Sequence, residues 1–242
     1  MSSALILGTI DLPRVSSASI HLFPQSVGGG WQQLSKNRKS SYGATARYAN
    51  LQAYNSLVPQ RPGYFHGPEY FTADANYRVR TSKTGMLKFY TNYGYGHTGM
   101  RNPDIDSNAL QSLFELKNVN WYGNLSWRES LGKGWKADAA LAYNYSRDRL
   151  TTALQDAKDS TLYLPEELFR NKNRMIVSTG DFAQARLVLT KGWFGNQAIR
   201  FGGEYFYTND RNDSAGTLKD DLAAVFAEAD ISITRRMGAR LG

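Results

Sequence analysis

Four oxygen-bearing side chains offer the first chemistry to weigh. Asp104, Asp106, Asn108 and Glu115 fall at positions 1, 3, 5 and 12 of the EF-hand calcium loop pattern. Position 6 of that pattern takes Gly for its sharp turn and here is Ala109, and no flanking helix pair is evident. The four are therefore candidate calcium ligands, with solvated loop acids or ligand contacts of an outer loop as the competing readings. Gly94-Tyr95-Gly96-His97-Thr98-Gly99 spells GxGxxG. A dinucleotide site needs a helix opening there and an acid about 20 residues on. Here a strand pattern runs into a loop ending at Asn102-Pro103, so the glycines are expected only to ease a strand end. His21, His66 and His97 lie far apart without ligand spacing, and no metal site is expected among them. The chain has no Cys, which excludes disulfides, thiolate catalysis and Cys-ligated metals. Neither a nucleophile elbow nor a phosphate loop is present, so neither an enzyme nor a cofactor is expected.

The elements that position these residues are strands. In 119–128, Val119, Trp121, Gly123, Leu125 and Trp127 oppose Asn120, Tyr122, Asn124, Ser126 and Arg128. In 135–146, Trp135, Ala137, Ala139, Leu141, Tyr143 and Tyr145 oppose a face carrying Lys136, Asp138 and Asn144. The same period of two runs through 41–52, 70–80, 86–95, 182–190, 197–208 and 223–234, with 17–23 as one further candidate. The stretch 223–234 is Ala-rich enough to read as helix by propensity, but its alternation through Ile233 favours strand.

The connections then suggest the architecture. Short, turn-rich links at 81–85, 131–134 and 191–196 alternate with long ones at about 53–68, 96–118, 148–180 and 208–220. Tight turns on one side and long loops on the other describe an up-and-down transmembrane β-barrel. The predicted class is thus all-β and antiparallel, a barrel of about eight or nine strands. Residues 1–39 lead into it and 40–242 form the wall with its extracellular loops. A soluble sandwich also alternates. Aromatics near the ends of the apolar faces, and both charge signs on the opposite faces, favour lipid on one side and a wet lumen on the other.

The 242 residues carry a formal charge of +8, and the basic residues are spread along the chain. No nucleic-acid tract emerges, and no nucleic-acid partner is expected. Among the basic residues, Arg78, Arg80, Lys88, Arg128, Lys136, Arg186 and Arg200 fall on the polar faces and are the expected lumen-facing cations. They would favour anionic cargo or an acidic plug, or else pair with acids and only keep the lumen hydrated.

Three segments carry a family resemblance: ALILGTIDLPRVSSASIHLFPQSVGGGWQQL at 4–34, KTGMLKFYTNYGYGHTGMRNPDID at 83–106, and NWYGNLSWRESLGKGWKADAALAYNYSRDR at 120–149. They resemble TonB-dependent outer-membrane receptors of the Bacteroidetes type. The resemblance implies a large plugged barrel in the bacterial outer membrane, with lipid, the TonB system and a small nutrient as partners. The nutrient would be a ferric siderophore, cobalamin or glycan. Residues 1–10 show no export signal, no plug segment is recognisable, and the chain closes on Arg240-Leu241-Gly242 without a terminal aromatic. The expectation is therefore a portion of a longer receptor, so that transport belongs to the parent. A small self-contained barrel acting as anchor or adhesin, and a soluble β-rich binding protein, are the alternatives.

Overall fold

A computed structural model describes residues 11–58, 63–193, 197–234 and 237–242. They form one antiparallel sheet in which every strand pairs with its neighbour in sequence. The strands are β1 Ser17–Phe23, β2 Ser26–Leu34, β3 Ser40–Asn50, β4 Gly63–Val79, β5 Met86–Pro103, β6 Gln111–Gly132, β7 Trp135–Gln155, β8 Arg174–Gly192, β9 Ala198–Asn212, β10 Gly216–Thr234 and β11 Met237–Leu241. A short helix, α1 Gln52–Leu57, lies between β3 and β4. The sheet is open: among the described residues β1 and β11 are its edges.

The count rises from the expected eight or nine strands to 11. Each of the eight alternating stretches falls on one strand from β3 to β10, with 41–52 running two residues past β3, and 223–234 is strand. The further candidate 17–23 is β1, and the two strands that alternation did not mark are β2 and β11; β1 and β2 lie within the expected lead-in 1–39. β2 escaped the alternation test because Gly28, Gly29 and Gly30 show no face. Close approach to β3 explains Gly30, since a Cβ there would meet Thr45 Cγ2 at 2.6 Å.

The long connections are shorter than the sequence suggested. Strand pairing runs on to Pro103 and resumes at Gln111, leaving 104–110 where 96–118 was expected. Likewise 148–180 contracts to 156–173, and 208–220 contracts to 213–215. Alternation marks a strand only where its two faces meet different surroundings. In the outer part of β6 the apolar residues Leu113, Phe114 and Leu116 do not alternate, yet the backbone still pairs. At the opposite end the hairpins are tight. The β6–β7 turn places Gly132, Lys133 and Gly134 at positive φ (84°, 50° and 80°), which matches the right-handed strand twist. A Cβ on Gly134 would approach the carbonyl oxygen of Gly192 to 2.4 Å.

The register turns the period of two into continuous cross-sheet rows. On one face Tyr42, Tyr77, Phe89, Leu125, Leu141, Ala185, Tyr205 and Ala223 are successive partners from β3 to β10. On the other, Thr45, Asp74, Asn92, Tyr122 and Asn144 follow one another from β3 to β7. The apolar face has no protein core to enter. Met86, Ala137 and Leu154 are the buried hydrophobics among the described residues, while Leu141 is 55% exposed and Val225 91%. A sandwich would bury these rows against a second sheet. A row of exposed apolar side chains crossing the sheet is what a hydrocarbon solvent stabilises. On β7 the band runs from Trp135 to Tyr145. That is roughly 33 Å along the strand at about 3.3 Å per residue, and about 23 Å thick at the usual tilt of about 45°. No helix among the described residues is long and apolar enough to cross a membrane.

Candidate functional site

The polar face carries a charge and hydrogen-bond array that grows out of the strand register. Asp74 on β4 accepts from Thr45 Oγ1 at 2.9 Å, from Asn92 Nδ2 at 2.8 Å and from the Tyr90 hydroxyl. Farther along, Asn120 Nδ2 donates to Asn144 Oδ1 at 3.2 Å, and the Asn118 amide donates to Asp148.

Four of the seven expected cations have acidic partners. Arg186 Nε lies 3.0 Å from Glu204, and Arg200 lies 2.7 Å from Asp230 and 3.8 Å from Glu228. Lys88 and Arg128, from adjacent strands, both contact the carboxylate of Asp11, which the segment before β1 lays across this face. Arg80, just past β4, adds its field to the same carboxylate. Arg78 and Lys136 make no ion pair with a described residue. Lys88, Arg128, Arg186 and Arg200 line one groove of about 460 Å³ that also holds Asp138.

At the loop end, two connections are fastened together. Asp104 follows β5 and is 1% exposed. Its carboxylate accepts from Lys172 Nζ and from Ser112 Oγ, each at 2.5 Å, and from the amide of Asp106 at 3.0 Å. Lys172 also reaches Asp106 at 2.5 Å. Burial disfavours the charged form of Asp104, but the Lys172 and Ser112 hydrogen bonds outweigh it and hold the carboxyl below its ordinary range. Asn173 continues the fastening: its Oδ1 accepts the amide of Leu154 at 2.7 Å, and its Nδ2 donates to the Leu162 carbonyl at 2.6 Å.

This arrangement separates the four candidate calcium ligands. The ammonium of Lys172 stands between Asp104 and Asp106, where a cation would sit. Glu115 is elsewhere, on β6, paired with His97 at 2.8 Å and Lys117 at 3.2 Å. Asn108 lines a separate groove beside Phe65 and Arg101.

Two of the three histidines, far apart in sequence, are brought together. His66 and His97 stack, with ring centroids 3.7 Å apart. His66 Nε2 lies 3.1 Å from Glu69 Oε2, and Tyr48 donates to the other oxygen of Glu69 at 2.7 Å. The register shift between His66 and Glu69 explains the meeting. Pro68 has no amide to donate, so the ladder breaks and one extra residue is accommodated. Gly67 donates instead to Gln52 on α1, and the Pro68 carbonyl accepts the amide of Leu51. With that bulge, His66 falls on the same face as Glu69. Extending the two hairpin registers from their well-patterned centres would have aligned Glu69, His97 and Lys117, which was the available signal. The GxGxxG letters lie in β5, and Gly99 leaves room for the ring of Phe65, which a Cβ would meet at 2.4 Å.

With this geometry in hand, three solved structures share the sheet. The chain superposes on BauA, the ferric preacinetobactin receptor from Acinetobacter baumannii, at a TM-score of 0.53 and 10% identity, covering 96% of this chain and 40% of that one. It superposes on the unliganded ferric citrate transporter FecA at 0.54 and 11%, covering 92% and 35%. For the ferric yersiniabactin uptake receptor FyuA from Yersinia pestis the values are 0.51 and 11%, covering 89% and 35%. The fold is that of outer-membrane β-barrel receptors. The chain spans two fifths or less of the length of these neighbours. By sequence, no protein family and no curated protein matches it. In such a barrel wall one face meets lipid and the other a polar interior, so the Leu125–Leu141 row has the composition of the lipid side.

Proposed function

We propose that this chain is a wall section of a TonB-dependent outer-membrane receptor, and that the complete protein binds a scarce nutrient and imports it. One observation carries the reading: a sheet of 11 meandering strands, apolar on one face and charged on the other, superposes over 89% or more of its length on three receptors named for ferric chelates. Those names make a ferric siderophore the first ligand class to test, ahead of cobalamin and glycans. The segment resemblance at 83–106 and 120–149 supports TonB dependence. On this reading the cations of the polar face line the lumen. Arg186 and Arg200 pair within the wall and keep it hydrated. Lys88 and Arg128 hold Asp11 of the lead-in segment, so their charge is spent on the protein itself.

The test is uptake of radiolabelled ferric siderophores by the native bacterium under iron limitation, with the complete gene deleted or restored. Restoration is expected to rescue uptake of at least one chelate, and deletion of the TonB system to abolish it. Binding without uptake in every strain would favour an anchor or adhesin. A complete protein that stays in solution without detergent would favour the soluble alternative.

A further inference from the structure

We propose that His66, Glu69 and His97 form a binding site for a divalent transition-metal ion of the zinc class, on the outward face of the wall at the loop-side end of the apolar band. The cross-sheet register fixes that position. Phe71, Tyr95 and Val119 are successive partners in the apolar face. The next row on the same face is Glu69, His97, Lys117 and Arg149, which is wholly polar. The site therefore stands just where the wall emerges from hydrocarbon.

Three features recommend it. One donor atom from each residue lies within 4.8 Å of the other two, and this is the one such group of His, Cys, Asp and Glu among the described residues. A zinc ion with bonds of about 2.0–2.1 Å sets its ligand atoms about 3.3 Å apart, so the side chains need to close by about 1.5 Å at most. Second, the donors are held from behind. The Tyr48 hydroxyl occupies Glu69 Oε1, which leaves Oε2 facing His66. Lys117 steadies Glu115, whose Oε1 lies 2.8 Å from His97 Nε2 and helps orient that ring. Third, the backbone departs from a regular strand to build the cluster: the bulge at Gly67-Pro68 brings His66 to this face. Bulges commonly re-aim one side chain at a functional site.

The donor chemistry selects the ion. Two imidazoles with one carboxylate suit zinc and its neighbours nickel and copper. Calcium and magnesium prefer oxygen ligands throughout. Binding exchanges the two His–Glu hydrogen bonds for metal–nitrogen and metal–oxygen bonds, and each imidazole binds through an unprotonated nitrogen. The inference rests on wall residues alone and is independent of any transported nutrient.

The test is calorimetric titration of zinc into the complete protein, purified in detergent and stripped with chelator. Cobalt absorption reports coordination geometry, and heat-modifiable gel migration reports folding. One equivalent of zinc is expected. His97→Gln keeps a hydrogen-bonding side chain for Glu115 yet should weaken binding by at least about 100-fold, and Glu115→Gln by about 10- to 100-fold. His21→Ala, on β1, should change nothing. A titration without heat, or an affinity unchanged in a folded His66→Ala/His97→Gln double variant, overturns the site.

Discussion

Leu141 decides between lipid and water on the apolar face. It sits on β7 six residues from Trp135 and four from Tyr145, near the middle of the band. It is 55% exposed, and its cross-strand partners are Leu125 and Ala185. On a soluble sheet, Leu141→Arg at so exposed a position would change stability by about 0.5 kcal/mol or less. At a bilayer midplane the same substitution costs about 2–4 kcal/mol, a factor of roughly 30 to 800 in the folding equilibrium. Gln184→Arg is the control: Gln184 is next to Ala185 on the opposite, polar face, where an added charge stays hydrated. The assay is urea unfolding of the complete protein from phospholipid vesicles, followed by tryptophan fluorescence. Leu141→Arg is expected to be destabilised by the full amount and Gln184→Arg to stay within about 1 kcal/mol of the parent. Equal stability of the two variants would refute the assignment of faces, and with it the membrane reading.

Two further outcomes concern the fastened loops. Lys172→Met leaves the carboxylate of Asp104 buried with only the Ser112 and Asp106 donors. Against about 3–5 kcal/mol for an uncompensated buried charge, the local cost should be about 2–3 kcal/mol. Hydrogen exchange over 104–110 and 156–173 should then accelerate by about 30- to 150-fold, and Asp104→Leu/Lys172→Met should recover part of the protection. Acid should act on the same place. The carboxyl of Asp104 is depressed in the fold below 3.8, so its contribution is full above that ordinary value and is lost as pH falls through the depressed one. Protection of both loops, read by pulse labelling, should be flat from about pH 7 to 5 and collapse only below about 3.8.

The fold was legible in the sequence where the two faces of a strand differ in chemistry, and illegible elsewhere. Leu125 against Ser126 declares a face because one side of the sheet is apolar and the other polar. At Gly28 to Gly30 nothing projects, so β2 was invisible. Past Tyr95, and before Val119, apolar residues no longer alternate (Leu113, Phe114 and Leu116), so the outer eight residues of β5 and of β6 read as loop. The surroundings of the calcium pattern were illegible for a different reason. Its spacing is local, while Lys172, the residue that fills the acidic pocket, lies 68 residues from Asp104. The stacked histidines likewise depend on the register of two strands and on a bulge, and neither has a local signature beyond Gly67-Pro68.

The open edges set the last constraint. In hydrocarbon each unsatisfied backbone group costs several kcal/mol. Among the described residues β1 and β11 each pair on one side only. β1 spans seven residues and exposes Ile20 at 78% and Leu22 at 73%. An apolar edge of that kind is stable in a bilayer only when another strand lies against it, and in water it would pair with any strand it met. The neighbours' longer chains show the scale of wall such an edge would join. The His66–Glu69–His97 cluster and the Asp104–Lys172 fastening lie between β3 and β8, away from both edges, and can be tested by single substitutions. The groove of Lys88, Arg128, Arg186 and Arg200 lies on the polar face, where Asp11, Glu204, Glu228 and Asp230 pair with all four cations.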